Sequence, residues 1–208
     1  MRQVVLQFYV SLDGYSADSD NGIRDVMMSM DDAEQERYFA ARLRQAGTHI
    51  MGRVTYESMA SFWPTSRHPS AAPMNDIPKV VFSRTLRSAD WPETRIADGD
   101  TAEEIAKLKA ESGGEILAHG GTEFARSLIR LGLVDECRLW VLPAAAGRGA
   151  ALFAGLDQPV RLSLLNSTAF SSGLLELVYA PVRSDEKEPP NGGASGCDIA
   201  KHSITVGI

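Results

Sequence analysis

Between Gly113 and Leu133 the chain reads Gly-Gly-Glu-Ile-Leu-Ala-His-Gly-Gly-Thr-Glu-Phe-Ala-Arg-Ser-Leu-Ile-Arg-Leu-Gly-Leu, and few architectures accept such a run. Residues 115–119 suit a short buried strand, and Phe124, Leu128 and Leu131 recur at helical spacing directly after it. Gly120 and Gly121 stand at the junction. Two glycines let a strand turn sharply into a helix and keep side chains away from the helix's free N–H groups, an arrangement that receives phosphate. The same pair also serves as a bare tight connection, and the run alone leaves the two readings even.

Two further junctions repeat the pattern. Residues 48–51 suit a short strand that runs at once into Gly52-Arg53-Val54-Thr55-Tyr56-Glu57-Ser58-Met59, a glycine at a helix start beside an arginine. Residues 79–82 suit another, ending in Ser83-Arg84-Thr85. There a hydroxyl and a guanidinium could hold a phosphate monoester, although such a pair on a surface turn is usually just solvated.

The remaining elements follow from local pattern. Residues 4–10 are apolar at nearly every position, as in a central strand covered on both faces, and Ser11-Leu12-Asp13-Gly14-Tyr15 breaks that strand. Asp13 stands where a ligand could be touched, while Asp-Gly is more commonly a turn pair. Asp31 or Asp32 can cap a helix running to about Ala46, with Phe39 and Leu43 inward and Gly47 ending it. Pro64 to Pro78 reads as a long loop. After a small strand at 95–97, Thr101 and Glu104 form a capping box for a helix over 102–111, with Ile105 and Leu108 inward. Gly132 suits a left-handed C-cap. This alternation implies an α/β fold, a mainly parallel sheet with helices on both faces. A strand at 136–142 follows, then an antiparallel hairpin formed by 160–167 and 173–182. Residues 1–183 make one domain, and the composition from Ser184 onward is that of a disordered tail.

Composition narrows the functional classes. The 208 residues are 44% hydrophobic and 23% charged, enough for one sizeable core. A net charge of -6 and a pI near 5.2 argue against nucleic acid or an anionic membrane as partner. The N-terminus reaches Asp13 too soon for a signal peptide, and no run approaches the ~20 apolar residues of a membrane span. Cys137 and Cys197 lie far apart, so neither a disulfide framework nor a cysteine metal site is indicated, and a reducing cytoplasm is the simplest home. His49, His68, His119 and His202 lack metal-ligand spacing, and a buried, satisfied histidine is the ordinary fate of one like His119. No metal is expected. Gly147-Arg148-Gly149 loses the dinucleotide fingerprint where the third glycine should stand, and no nucleophile elbow supports hydrolysis.

Taken together and in order, these stretches resemble the dihydrofolate reductase superfamily, most closely the RibD C-terminal reductase branch of riboflavin biosynthesis. The matching residues are Ser11-Leu12-Asp13-Gly14-Tyr15, Met51-Gly52-Arg53-x-Thr55-x-Glu57-Ser58, Val81-Phe82-Ser83-Arg84-Thr85 and His119-Gly120-Gly121. Gly132-Leu133-Val134-Asp135-Glu136 and Pro143-x-x-x-Gly147-x-Gly149-x-x-Leu152-Phe153 complete the set, which covers roughly residues 2 to 182. The resemblance implies a three-layer dihydrofolate reductase-like fold and an NADPH-dependent reductase of a small heterocyclic or ribosylated pyrimidine or pterin. It also implies a cytoplasmic enzyme, commonly a homodimer. It assigns the cofactor to Gly52, Arg53, Thr55, Ser83, Arg84, Gly120, Gly121 and Thr122, with Ser83 and Arg84 on the 2′-phosphate.

For the proton step, the resemblance points to an acid on the first helix, where Asp31, Asp32, Glu34 and Glu36 lie and Glu36 falls nearest, although a single surface glutamate is more commonly just solvated, and to a polar role for Asp13 beside substrate. The loop after the first strand lacks the pattern that closes over nicotinamide in true dihydrofolate reductases. No His-x-Glu with a following Pro-Cys-x-x-Cys occurs, so the deaminase half that often accompanies this branch is absent. A nucleotide- or flavin-binding protein of the same fold without efficient turnover is the alternative.

Overall fold

The computed structural model describes residues 1–16 and 22–182, so the expected tail from Ser184 and most of the 16–22 loop lie outside the described residues. One sheet contains β1 (Val4–Ser11), β2 (Ala46–Gly52), β3 (Lys79–Phe82), β4 (Thr94–Ala97), β5 (Glu115–His119), β6 (Glu136–Leu142), β7 (Leu162–Ala169) and β8 (Leu175–Pro181). Its spatial order is β4-β3-β2-β5-β1-β6-β8-β7. Every pairing from β4 across to β6 is parallel, and β8 runs antiparallel to both β6 and β7.

Among the described residues, six α-helices accompany it: α1 (Ile23–Ser29), α2 (Ala33–Leu43), α3 (Arg53–Ala60), α4 (Ala71–Asp76), α5 (Thr101–Ala110) and α6 (Thr122–Arg130). Alternate residues of β1 face opposite layers. Val4, Leu6 and Phe8 pack with Ile105 and Leu108 of α5 and with Ala125 and Leu128 of α6. On the other face Val5 packs with Leu43, Tyr56 and Met74, which brings in α2, α3 and α4, while Trp140 of β6 packs with Ile23 of α1. Burial on both faces is why the parallel strands read as near-continuous apolar runs. The architecture is the expected three-layer α/β fold with an antiparallel C-terminal hairpin.

Several local expectations change. Helix α1 was not legible: Gly22 enters it at φ +79°, and Ile23 is its one fully buried residue. Pro64 to Pro78 is not a plain loop, because a 3₁₀ turn (Trp63–Thr65) and α4 lie within it. Pro73 falls in the first turn of α4, where its missing N–H costs no helical bond. At α2, Asp32 is the cap: its Oδ1 accepts from Glu34 and Gln35 N–H at 3.0 and 3.1 Å. That helix stops at Leu43, and Gly47 lies inside β2 instead of ending the helix. At α5 the cap is Asp100, whose Oδ1 accepts from Ala102 and Glu103 N–H, so the Thr101/Glu104 box does not form and Glu104 pairs with Arg95 and Lys107 instead. Leu131 is half-exposed beyond the end of α6, whose inward residues are Thr122, Ala125 and Leu128.

Arg138 of β6 is buried, yet it forks onto both oxygens of Glu115 at 2.7 Å and gives Nε to Glu136 at 2.7 Å. It thereby ties β5 to β6 across β1. Removing it leaves two poorly solvated carboxylates without their counter-charge. Arg138→Met is expected to cost about 3 kcal/mol, read from the urea midpoint. A loss within about 0.5 kcal/mol, usual for a surface residue, would contradict the bridging role.

Candidate active site

Strand β5 is inserted between β2 and β1, and this produces the crevice. The chain leaves β1 through α1 and α2 on one face to reach β2, and leaves β5 through α6 on the other face to reach β6. Adjacent strands whose connections depart to opposite sides leave a gap at their carboxyl ends, where open α/β sheets bind ligands. The register deepens it. β5 stops at His119, level with Gln7, while Phe8 to Ser11 of β1 continue and pair with β6.

The cofactor candidates gather there. β3, β2 and β5 are neighbours, so their carboxyl ends bring Ser83-Arg84, Gly52-Arg53 and Gly120-Gly121 to one edge of the sheet. Thr55 in α3 donates to the Gly120 carbonyl at 2.7 Å and joins two of these junctions. Gly121 has φ +94°, and a Cβ there would stand 2.5 Å from Thr55 Oγ1, so glycine is required by both backbone and space. Thr122 opens α6 and is buried. Arg53 meets Glu57 one turn on at 2.9 and 3.0 Å, an exposed pair that an anion could displace at little cost. Ser83 Oγ accepts from Thr85 and Leu86 N–H and shapes its turn, leaving its own proton to donate. Arg84 is exposed and makes no hydrogen bond or ion pair among the described residues. Two helix starts and an available arginine fit a pyrophosphate and a phosphate monoester.

The two acids differ. Asp13 accepts from Ser11 Oγ at 2.6 Å and from the Ala146 and Gly147 N–H groups at 2.9 and 2.7 Å. Those bonds, the Ser11 hydroxyl foremost, hold its carboxyl down at about 2, so it is an ionised clamp between the β1 and β6 loops near neutral pH. Glu36 lies in the first turn of α2, three and four residues before the inward-packed Phe39 and Ala40. Because β2 begins three residues after α2 ends, α2 runs against the strands and sets Glu36 at their carboxyl ends. Its Oε1 is 3.6 Å from His68 Nε2.

Other buried polar groups gave no local signal. His119 Nε2 lies 2.9 Å from His49 Nδ1, and His49 Nε2 lies 3.1 Å from the Pro73 carbonyl. Lys79 gives Nζ to the carbonyls of Met74, Asn75 and Ile77 and stacks over Trp91. Glu176 is enclosed under α2, where Tyr38 donates to it at 2.6 Å and Arg42 at 3.2 Å. Only the strand register and helix packing bring these groups together. Burial, with a smaller contribution from Lys79, pushes His49 down to about 4, and burial, with a smaller contribution from His49, takes His119 well below its ordinary value.

The RibD C-terminal domain family model matches residues 2–175. The chain belongs to the RibD C-terminal domain family. Among its relatives, the uncharacterized protein YyaP of Bacillus subtilis (strain 168) is 31% identical over 183 residues, covering 86% of this chain and 94% of that one. The uncharacterized protein YwjB of the same organism is 29% identical over 174 residues, covering 83% and 95%. A crystal structure from Shewanella sp. PV-4, described as that of a candidate riboflavin biosynthesis protein, superposes with TM-score 0.72 at 23% identity, covering 87% of this chain and 99% of that one. A pyrimidine reductase-like protein from Corynebacterium diphtheriae follows with TM-score 0.62 at 15% identity, covering 88% and 92%. These structures share the dihydrofolate reductase-like fold, and membership of the RibD C-terminal domain family supports a reductase-like enzyme.

Gly121→Ala is expected to cost about 2 kcal/mol or more of stability, because strain and the Thr55 contact act together. Gly132→Ala, at φ +64° in open space, should cost about 1 kcal/mol. Equal urea midpoints for the two would refute the close approach. His49 titrates near 6.5 when unfolded and about 4 when folded. The unfolded chain therefore binds more protons between those values, and stability falls as pH drops through that window. At pH 5 the loss from this residue is about 2 kcal/mol. His49→Gln should flatten the fall in urea midpoint between pH 7 and 5, and an unchanged slope would contradict the buried neutral state.

Proposed function

We propose that this RibD C-terminal-type domain is a cytoplasmic NADPH-dependent reductase of a small heterocyclic or ribosylated pyrimidine or pterin, acting in riboflavin or folate metabolism. The observation that carries the reading is the convergence of three strand-end junctions on one sheet edge, two of them joined by Thr55 and Gly120, with Arg84 unengaged beside them. Gly52, Arg53, Thr55, Gly120, Gly121 and Thr122 would hold the pyrophosphate, and Ser83 with Arg84 the 2′-phosphate. NADPH, when bound, supplies the hydride. The protein's own task is to orient the ring, exclude water and deliver one proton. Glu36 is the candidate for that proton, since Asp13 stays ionised and serves by fixing the loops that border the crevice.

A binding protein of the same fold without efficient turnover is the second reading. It is favoured by the proton donor's being unassigned by geometry, since the Glu36 carboxylate meets only His68 Nε2, at 3.6 Å, among the described residues. A homodimer accords with β7, an edge strand that leaves Leu164 and Leu165 more than half exposed. A sedimentation mass of one 22.5 kDa chain at micromolar concentration would contradict it.

Arg84→Ala is expected to weaken NADPH binding about tenfold or more and NADH binding little, by calorimetric titration, because a charge-assisted bond to the 2′-phosphate exists only for NADPH. Equal losses would remove Arg84 from the 2′-phosphate. Failure of the unaltered protein to bind NADPH would remove the reductase reading.

A further inference from the structure

Under α2 and α4, the sheet face carries one buried polar side chain from each of β1, β5, β2 and β3: Gln7, His119, His49 and Lys79. The direction of their hydrogen bonds is set from one end. The Pro73 carbonyl only accepts, so His49 Nε2 carries the proton and His49 Nδ1 is a lone pair. His119 Nε2 faces that lone pair and must donate, which leaves His119 Nδ1 as an acceptor. Both rings are neutral, as their burial requires. The row ends on a carbonyl and so cannot pass a proton onward. Its effect is to fix the ring and tautomer of His119, the residue next to Gly120. Lys79 is not available to a ligand, because its three protons go to three carbonyls at the end of α4.

Gln7 sits in register with His119, where β5 ends and the crevice opens. Gln7 is 4% exposed, and its Oε1 is buried without a hydrogen-bond partner. His119 Nδ1 makes no hydrogen bond among the described residues either. An unpaired buried amide is costly, and two unpaired acceptors side by side at a ligand crevice call for a ligand with donors. We propose that Gln7 and His119 read the edge of a planar amide, an N–H beside a C=O, lodged between β1 and β5. The Gln7 carboxamide offers both an acceptor and a donor, and His119 adds an acceptor of fixed direction. Two molecules carry such an edge: the nicotinamide carboxamide, and the lactam of a pyrimidine, pterin or flavin ring. The proposal rests on the reductase reading for the first source and stands without it for the second.

The test is ¹⁵N NMR of histidine-labelled protein, which distinguishes protonated from lone-pair ring nitrogens. In the free protein both His49 and His119 are expected to carry their proton on Nε2. NADPH, the same dinucleotide lacking its nicotinamide, and lumazine added to NADP⁺-loaded protein are the probes. Movement of the His119 Nδ1 signal with NADPH but not with the ring-less dinucleotide identifies the nicotinamide, and movement with lumazine identifies the substrate ring. Gln7→Leu should weaken the same probe about tenfold and leave the ring-less dinucleotide unaffected. His49→Gln, whose amide can accept from His119 and donate to Pro73, should preserve binding that His49→Met loses. A proton on His119 Nδ1 in the free protein overturns the proposal. So does an unmoved Nδ1 with unchanged Gln7→Leu affinities in a protein that binds NADPH. If the unaltered protein binds no NADPH, lumazine and riboflavin alone decide, and an unmoved Nδ1 with both also overturns it.

Discussion

The Thr55 hydroxyl reaches the Gly120 carbonyl at 2.7 Å, and the approach exists because residue 121 has no side chain. That contact joins the helix that follows β2 to the turn that ends β5. β5 is the strand that enters the sheet late, between two strands already separated in sequence. If the two junctions stood a few ångströms farther apart, each would be an ordinary strand-to-helix turn with a weak partial charge at its helix start. Held together, the two junctions bring their helix starts to one place at the carboxyl ends of the sheet. The crevice also depends on β5 being short: the last four residues of β1 have no partner in β5, and an isolated bridge joins Val10 to Ser16, so the end of the sheet is notched where the helix starts converge.

What could be read from the sequence follows the range of the forces concerned. β3, β5 and β6 run over the residues expected of them, because burial on both faces writes itself as a local apolar run. The glycine junctions were legible for the same reason: a positive φ and a helix start are properties of neighbouring residues. The short helices were not. α4 has six residues and four prolines in its surroundings, and what holds it is Lys79 gathering its last carbonyls and His49 bonding Pro73, contacts made from other strands. At α5 two candidate caps stood side by side, and the carboxylate of Asp100 prevailed over the Thr101 hydroxyl, an ordering that local pattern does not encode. Gln7 and the histidine pair are farther still from local signal, since only parallel register makes residues 7, 49 and 119 neighbours.

The charge distribution across the crevice is uneven. At the ends of β2 and β3 lie Arg53 and Arg84, both exposed, so that an anion could be met without first removing a buried cation from a partner. Beneath, the histidines are held neutral and Lys79 is turned away into α4. Were a nicotinamide to lie beside His119, as the proposal has it, a cation there would oppose its loss of hydride. The burial that lowers the histidine pKa values is then compatible with the proposed chemistry, at the cost of stability in acid.

The acids divide along the same line. Asp13 and Asp32 are both drawn down to about 2 by hydrogen bonds that only an ionised carboxylate can accept in full. Each closes a loop: Asp13 joins the end of β1 to the segment after β6, and Asp32 joins the start of α2 to Ser171 and Ser172 before β8. A carboxyl so satisfied cannot give up a proton near neutrality, which disqualifies it as an acid while making it a good structural fastener. The Glu36 carboxylate, by contrast, makes among the described residues only a 3.6 Å approach to His68 Nε2. A proton donor must change state during each turnover, so it has to be the group that the fold does not depend on. Glu36, the proposed donor, meets that condition.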